Sequence, residues 1–100
     1  MDVKTTVDGT KARIELTGKL TVQTSPDLTV VVEGLPAEVR DLDIDLTDVS
    51  YIASAGLRVL VTADKLAVKH GGVMRLLHPC DDVLEVLDMT GLSEVFTIER

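Results

Sequence analysis

The sequence predicts a small α/β domain, with a mixed sheet of four or five strands and helices mostly on one side. Asp8-Gly9 lies between two segments of strand character, which indicates an antiparallel hairpin. Strand-like and helix-like segments then alternate, as they do in β-α-β units. With 100 residues, 45% of them hydrophobic, we expect one domain over residues 1–100 with a single aliphatic core.

Eight elements are predicted, in the order β-β-α-β-α-β-α-β. Strands are inferred from alternating or continuous apolar residues, and helices from apolar residues three and four positions apart. The predicted bounds are Val3–Val7, Ala12–Thr17, Pro26–Glu33 (helix), Leu42–Leu46, Ala55–Lys69 (helix), Val73–Leu77, a short helix that begins at Asp81-Asp82 and is ended by Thr90-Gly91-Leu92, and Val95–Ile98.

The first half of the chain has recognisable end signals. Gly18 is expected to end the second strand, and Thr24 and Asp27 have the spacing of a capping box at the first helix. A loop over Thr47–Ile52 is expected after the third strand. Asp45 would then lie near that strand's C-terminal end, where sites gather in α/β folds.

The second half contains the long helix, which carries one polar stripe. The other residues of this helix are mostly apolar, which predicts either that the helix is deeply packed or that part of its surface binds a partner. The Gly71-Gly72 pair ends this helix, and acidic Asp81 and Asp82 suit the start of the next one. The polar stripe consists of Arg58, Thr62, Lys65 and Lys69.

Composition narrows the classes of function. The net charge of −7 disfavours nucleic acid and anionic lipid as partners and favours a basic patch on another protein. Cys80 is the only cysteine, so the chain forms no internal disulfide. No apolar run approaches the ~20 residues of a membrane span. We therefore expect a cytoplasmic protein without cofactor or metal, monomeric or weakly dimeric.

The junction between the third strand and the long helix is the candidate functional site. Ser54 is expected at the helix start, where backbone N–H groups lack partners and the dipole is positive. Its hydroxyl either caps the helix, an ordinary role for serine, or carries a phosphate. Ala55 and Gly56 leave room above the helix end, and Arg58 follows one turn later, where it can contact a phosphate.

Two other clusters raise the question of a metal site. Asp43 and Asp45 point the same way on a strand and, together with Asp48, suggest an acidic pocket, although solvated or hydrogen-bonded carboxylates are the commoner case. The second cluster consists of His70, His78 and Cys80. The spacing of these residues matches no zinc-binding pattern, and the chain has no second cysteine.

The element order and the central stretch resemble the STAS domain family, and more narrowly the bacterial anti-sigma-factor antagonists. The segments that carry this resemblance are Asp45–Val49 and Ser54–Leu60. The Ser-Pro-Asp-Leu helix start, the Thr90–Leu92 turn and the final strand also lie where that family has them. The resemblance covers nearly the whole chain.

The resemblance implies a partner-switching protein that is not an enzyme. Such a domain binds an anti-sigma factor, usually a serine kinase, and so releases a sigma factor. The kinase phosphorylates a hydroxyl at the head of the central helix, which breaks the complex, and a PP2C-type phosphatase reverses the step. The implied acceptor here is Ser54. The implied partner surface consists of Asp48, Ser50, Tyr51, Ala53, Ser54, Ala55, Gly56 and Arg58.

The motif departs from the family's commonest pattern, which is Asp-Ser-Ser/Thr-Gly. Ala53 replaces the aspartate, and Ala55 replaces the second hydroxyl. If the acceptor is the first hydroxyl, Ser54 retains it. If it is the second, the protein binds its partner constitutively.

Three other functions remain open from the sequence. One is a STAS module that docks to a protein or binds a small ligand without phosphorylation. Another is a receiver-like switch with Asp45 or Asp48 as the phosphate acceptor. The last is a small enzyme that uses His78 or Cys80, for which no supporting constellation exists.

Overall fold

A computed structural model describes residues 1–100, and its elements follow the predicted order. None of its helices has the length and apolar character needed to cross a membrane. The elements are β1 (Asp2–Asp8), β2 (Lys11–Leu20), α1 (Ser25–Glu33), β3 (Asp41–Ile52), α2 (Ser54–Lys69), β4 (Met74–Leu77), α3 (Asp81–Met89) and β5 (Thr97–Glu99), with a 3₁₀ turn at Leu92–Glu94.

The five strands form one mixed sheet in the order β1-β2-β3-β4-β5. Only β1 runs antiparallel to its neighbour, and β2 to β5 are parallel. The crossovers through α1, α2 and α3 each move one strand further in the same direction. Since such crossovers are right-handed, their helices lie on one face of the sheet. The predicted fold class is therefore confirmed.

One apolar core lies between the sheet and the helices. Ile14, Ile44 and Leu76 are cross-strand neighbours on β2, β3 and β4, and all three are fully buried. Each aliphatic side chain of this kind contributes about 1.5–3 kcal/mol through burial. Every helix adds fully buried residues to the same core, among them Leu28, Leu60 and Leu87.

The opposite face of the sheet is polar, and its central carboxylates pair with arginines. The Asp45 carboxylate accepts a 2.7 Å hydrogen bond from Arg13 Nη2, and Asp43 accepts one of 3.1 Å from Arg75 Nε. Burial would raise the pKa of Asp45, but hydrogen bonds from the hydroxyl and N–H of Thr47 and the charge of Arg13 hold this pKa below its usual value. These two aspartates thus have structural partners.

Two predicted strand ends are wrong. The second strand continues through Gly18 to Leu20, and the third includes Thr47–Ile52, which was expected to be a loop. The pairing of β2 with β3 shifts register at two places, and Gly18 has a φ of 118°, which residues with side chains rarely adopt. Asp45 consequently lies in the middle of β3 rather than near its C-terminal end.

The predicted capping box at α1 is also wrong. Thr24 precedes the helix, but its side chain does not cap it. Its hydroxyl donates to the carbonyl of Lys19 at 2.6 Å and accepts from the N–H of Thr21 at 2.8 Å. This threonine therefore fixes the turn between β2 and α1 instead of capping the helix.

The last strand begins later than predicted. Val95 and Phe96 donate their N–H groups to the carbonyl of Leu92 at 3.0 and 2.8 Å, so they still belong to the turn. Phe96 is nevertheless buried in the core. Its apolar character therefore reflects packing rather than strand pairing.

Asp64 is a half-buried carboxylate on α2 with no hydrogen bond or ion pair. It lies on the same side of the helix as buried Leu57 and Leu60, which precede it by seven and four residues. Burial raises the pKa of Asp64, because the charged form loses hydration without gaining a partner. At neutral pH this charge therefore opposes folding.

We predict that Asp64→Asn raises the melting temperature near neutral pH, because the amide removes the cost of a desolvated charge. The native state binds the Asp64 proton more tightly than the unfolded state does. The gain should therefore shrink as the pH falls through the raised pKa and the wild-type carboxyl becomes neutral. Thermal unfolding across the acid range measures this difference.

Glu85→Gln is the matched control, since Glu85 is an exposed carboxylate in the middle of α3. It should show no comparable gain. A stability difference between wild type and Asp64→Asn that stays constant across the acid range would contradict the account.

Candidate functional site

Ser54 is the first residue of α2, and its side chain is exposed. Ala53 is the N-cap residue, with extended backbone angles, and no side chain caps the helix. The Ser54 hydroxyl forms no hydrogen bond within the protein. The capping role considered from the sequence is therefore wrong, and the hydroxyl is free to react or to contact a partner.

The head of α2 is fixed against the end of β2. The N–H of Ala53 donates to the carbonyl of Leu20 at 2.8 Å. A Cβ on Gly56 would lie 2.5 Å from Leu20 Cγ and 3.2 Å from Leu20 O. Since Leu20 is fully buried, it has little room to move aside. Glycine at position 56 is what allows the helix to start this close to the strand.

The exposed part of the site consists of the C-terminal end of β3 and the first turn of α2. Val49 and Ile52 point inward, each 1% exposed, and pairs of exposed residues separate these buried positions. Tyr51, the only tyrosine of the chain, is 47% exposed. An exposed aromatic of this kind is a typical anchor for a protein partner.

The structure brings most of the predicted partner surface together. Five of its members are exposed, Ala53 and Ala55 are half-buried, and Gly56 is buried. Gly56 therefore positions the helix rather than contacting a partner. The exposed members are Asp48, Ser50, Tyr51, Ser54 and Arg58.

A shallow groove of about 300 Å³ borders this surface on the side of α3. Asp48 and Ser50 line it from β3, and Cys80 and Asp82 line it from the start of α3. The Cys80 thiol donates weakly to the carbonyl of Val49 at 3.4 Å. The proximity of this segment to the candidate site was not predicted from the sequence. Loops that follow parallel strands meet at the C-terminal edge of a sheet. The only sequence signal for this proximity was therefore that both segments follow strands predicted to be parallel.

The two histidines lie at opposite ends of β4. The His70 ring places Nδ1 3.0 Å from the carbonyl of Val39, at the end of α2. His78 is exposed after β4 and has a φ of 54°. No group of three or more histidine, cysteine or acidic side chains has metal-binding geometry.

Comparison with known proteins identifies the family to which this chain belongs. The model of the STAS domain matches residues 3–100. The chain belongs to the STAS domain family. This STAS domain is also 33% identical over 86 residues to the anti-sigma-B factor antagonist of Bacillus subtilis, with 86% of this chain and 79% of that protein covered.

Solved structures show the same fold. An anti-sigma factor antagonist from Mycobacterium paratuberculosis has a TM-score of 0.85 at 20% identity, covering 98% of this chain and 84% of that one. The anti-sigma factor antagonist SpoIIAA in its unphosphorylated form has a TM-score of 0.77 at 17% identity, covering 99% and 89%. SpoIIAA from Bacillus in its phosphorylated form has a TM-score of 0.68 at 16% identity, covering 99% and 92%. At these identities the likeness concerns the fold alone.

We predict that Gly56→Ala destabilises this STAS domain by about 1–2 kcal/mol, because overpacking against Leu20 outweighs the better helix propensity of alanine. Chemical denaturation measures the loss. The cost should be smaller in a Leu20→Ala background, which removes the clashing atoms. An equal cost in both backgrounds, or no cost in the wild-type background, would show that the Gly56–Leu20 contact does not constrain the helix.

Proposed function

We propose that this STAS domain is an anti-sigma factor antagonist that binds an anti-sigma factor, and thereby frees a sigma factor, until Ser54 is phosphorylated. The observation that carries the proposal is the free, exposed hydroxyl at the first position of a 16-residue helix. The relatives that bear the same functional name support the class of partner. In this proposal the protein acts in the cytoplasm by binding, not by catalysis.

The head of α2 suits a phosphate electrostatically. The N–H groups of the first helical turn have no intrahelical partner, and the helix dipole is positive there. Arg58 lies four residues after Ser54, on the same face of the helix, exposed and without an ion pair. A phosphate on Ser54 would thus be tolerated by its own domain without unfolding.

The same phosphate opposes the bound state. Phosphorylation adds about −1.5 to −2 charges in the middle of the exposed surface formed by Ser50, Tyr51 and Ser54. A partner that covers this surface must strip water from those charges, which costs several kcal/mol unless it supplies cations. Dissociation of the complex is the expected result, with the antagonist still folded.

The proposed enzymes of the cycle are an anti-sigma factor serine kinase and a PP2C-type phosphatase. The kinase would transfer the γ-phosphoryl group of ATP to Ser54 Oγ, and the phosphatase would hydrolyse the ester. Ala53 places no carboxylate beside the hydroxyl, so the kinase must supply the base for the transfer. Ala55 removes the neighbouring hydroxyl, which leaves Ser54 as the acceptor at this helix start.

A constitutive binder is the second candidate, and the alanines at positions 53 and 55 favour it. An aspartyl-phosphate switch is less well supported. Asp45 is held by Arg13 and Thr47 in the middle of a strand. Asp48 is exposed near the site without a neighbouring carboxylate cluster of metal-binding geometry.

We predict that Ser54→Ala abolishes labelling by the anti-sigma factor kinase of the same genome with ATP, yet still binds that kinase. Ser54→Asp should bind at least about tenfold more weakly, about 1.4 kcal/mol, because it introduces a charge at the centre of the interface. Mass spectrometry maps the label, and titration calorimetry measures the affinities.

Thr6→Asp is the matched control, since Thr6 is exposed on β1 and adds the same charge far from Ser54. It should bind as wild type does. Label retained in Ser54→Ala and mapped to Ser50 or Thr47 would move the acceptor. A wild-type protein that binds but is never labelled would be the constitutive binder.

A further inference from the structure

A groove between α1 and α2 starts beside the candidate site and runs along both helices. Two adjoining depressions of about 170 and 430 Å³ share Val32, Glu33 and Thr62 in their walls. Val32 is buried, and Val59 and Leu66 are partly buried, so the floor is apolar. We call this feature the α1–α2 groove.

The exposed rim of the α1–α2 groove carries the only lysines and arginines found on any helix of the chain. Arg58, Lys65 and Lys69 are exposed, and none of them forms an ion pair. Glu33 is the one carboxylate that lines the groove. In a protein of net charge −7 this rim is an isolated basic surface, and it attracts acidic groups that the rest of the molecule repels.

The dimensions fit a short segment of protein. Arg58 and Lys69 are eleven positions apart on α2, which corresponds to about 16 Å along the helix axis. An amphipathic helix of about three turns has this length. Its apolar side would cover Val59 and Leu66, and carboxylates along its edge would face the three cations.

We propose that the α1–α2 groove is a second contact surface for the anti-sigma factor and that it binds an acidic amphipathic segment of that partner. This proposal rests on the proposed function. The groove is continuous with the candidate site, because Arg58 lies one helical turn from Ser54 and also lines the groove. A protein partner that covers Ser54 therefore reaches the groove without a break.

The shared residue also couples the two surfaces. Arg58 faces acidic side chains of the partner in the complex. After phosphorylation it has a doubly charged group four residues away on its own helix. The phosphate would draw the guanidinium from the groove, so one modification weakens both contact surfaces.

Zero-length carbodiimide cross-linking of the wild-type complex tests the proposal directly, because it joins lysine amines only to carboxylates in contact. The probe is the purified anti-sigma factor kinase of the same genome. We expect peptides in which Lys65 or Lys69 is joined to aspartate or glutamate of the partner. Lys4 and Lys11, exposed on β1 and β2, should stay free.

Charge reversal gives an independent measurement. Lys65→Glu/Lys69→Glu should weaken binding about tenfold or more and flatten its dependence on salt. Lys4→Glu/Lys11→Glu makes the same change in net charge elsewhere and should weaken binding much less. Melting curves show whether each variant is folded. If Lys65→Glu/Lys69→Glu is unfolded, Lys65→Gln/Lys69→Gln is measured in its place.

The outcomes separate the two proposals. If Ser54→Asp weakens binding but the groove variant binds like its control and the groove lysines are not cross-linked, only the α1–α2 groove proposal is overturned. If wild type does not bind the anti-sigma factor at all, both fail. If the groove lysines cross-link and their reversal weakens binding while Ser54→Asp has no effect, the groove stands and the Ser54 switch fails.

Discussion

The close contact between Gly56 and Leu20 is the constraint on which the site depends. It places the first turn of α2 directly against the end of β2, and the hydrogen bond from Ala53 to Leu20 fixes the helix start. Ser54 is therefore presented by a rigid element rather than by a loop. A group held in this way can change its charge without changing its position, which is what a switch between two partners requires.

The fold was largely predictable because periodicity and end signals agreed along the chain. The element order, the hairpin and the core positions all followed from them. The extension of β3 through Thr47–Ile52 did not, because the alternation ends at Leu46. Beyond that point two exposed residues separate each buried one, a pattern that arises from register shifts with β2. Long-range pairing of this kind leaves no periodic signal in a single strand.

The candidate site was predictable in position but not in its local bonding. Small residues at a strand–helix junction pointed to Ser54, and the structure places it at the helix start with a free hydroxyl. Neither the missing cap nor the role of Leu20 could be inferred, because both depend on how two distant segments meet. The same holds for Cys80, which reaches the site only through the packing of α3 beside β3.

The central claim is that a charge on Ser54 switches binding without altering the fold. The most direct test is the affinity of the protein carrying phosphoserine at position 54 for its anti-sigma factor, measured beside its amide NMR spectrum. We predict a loss of about a hundredfold or more, about 2.8 kcal/mol, with spectral changes confined to the surroundings of α2's first turns. Unchanged affinity, or a spectrum changed throughout the sheet, would contradict the account.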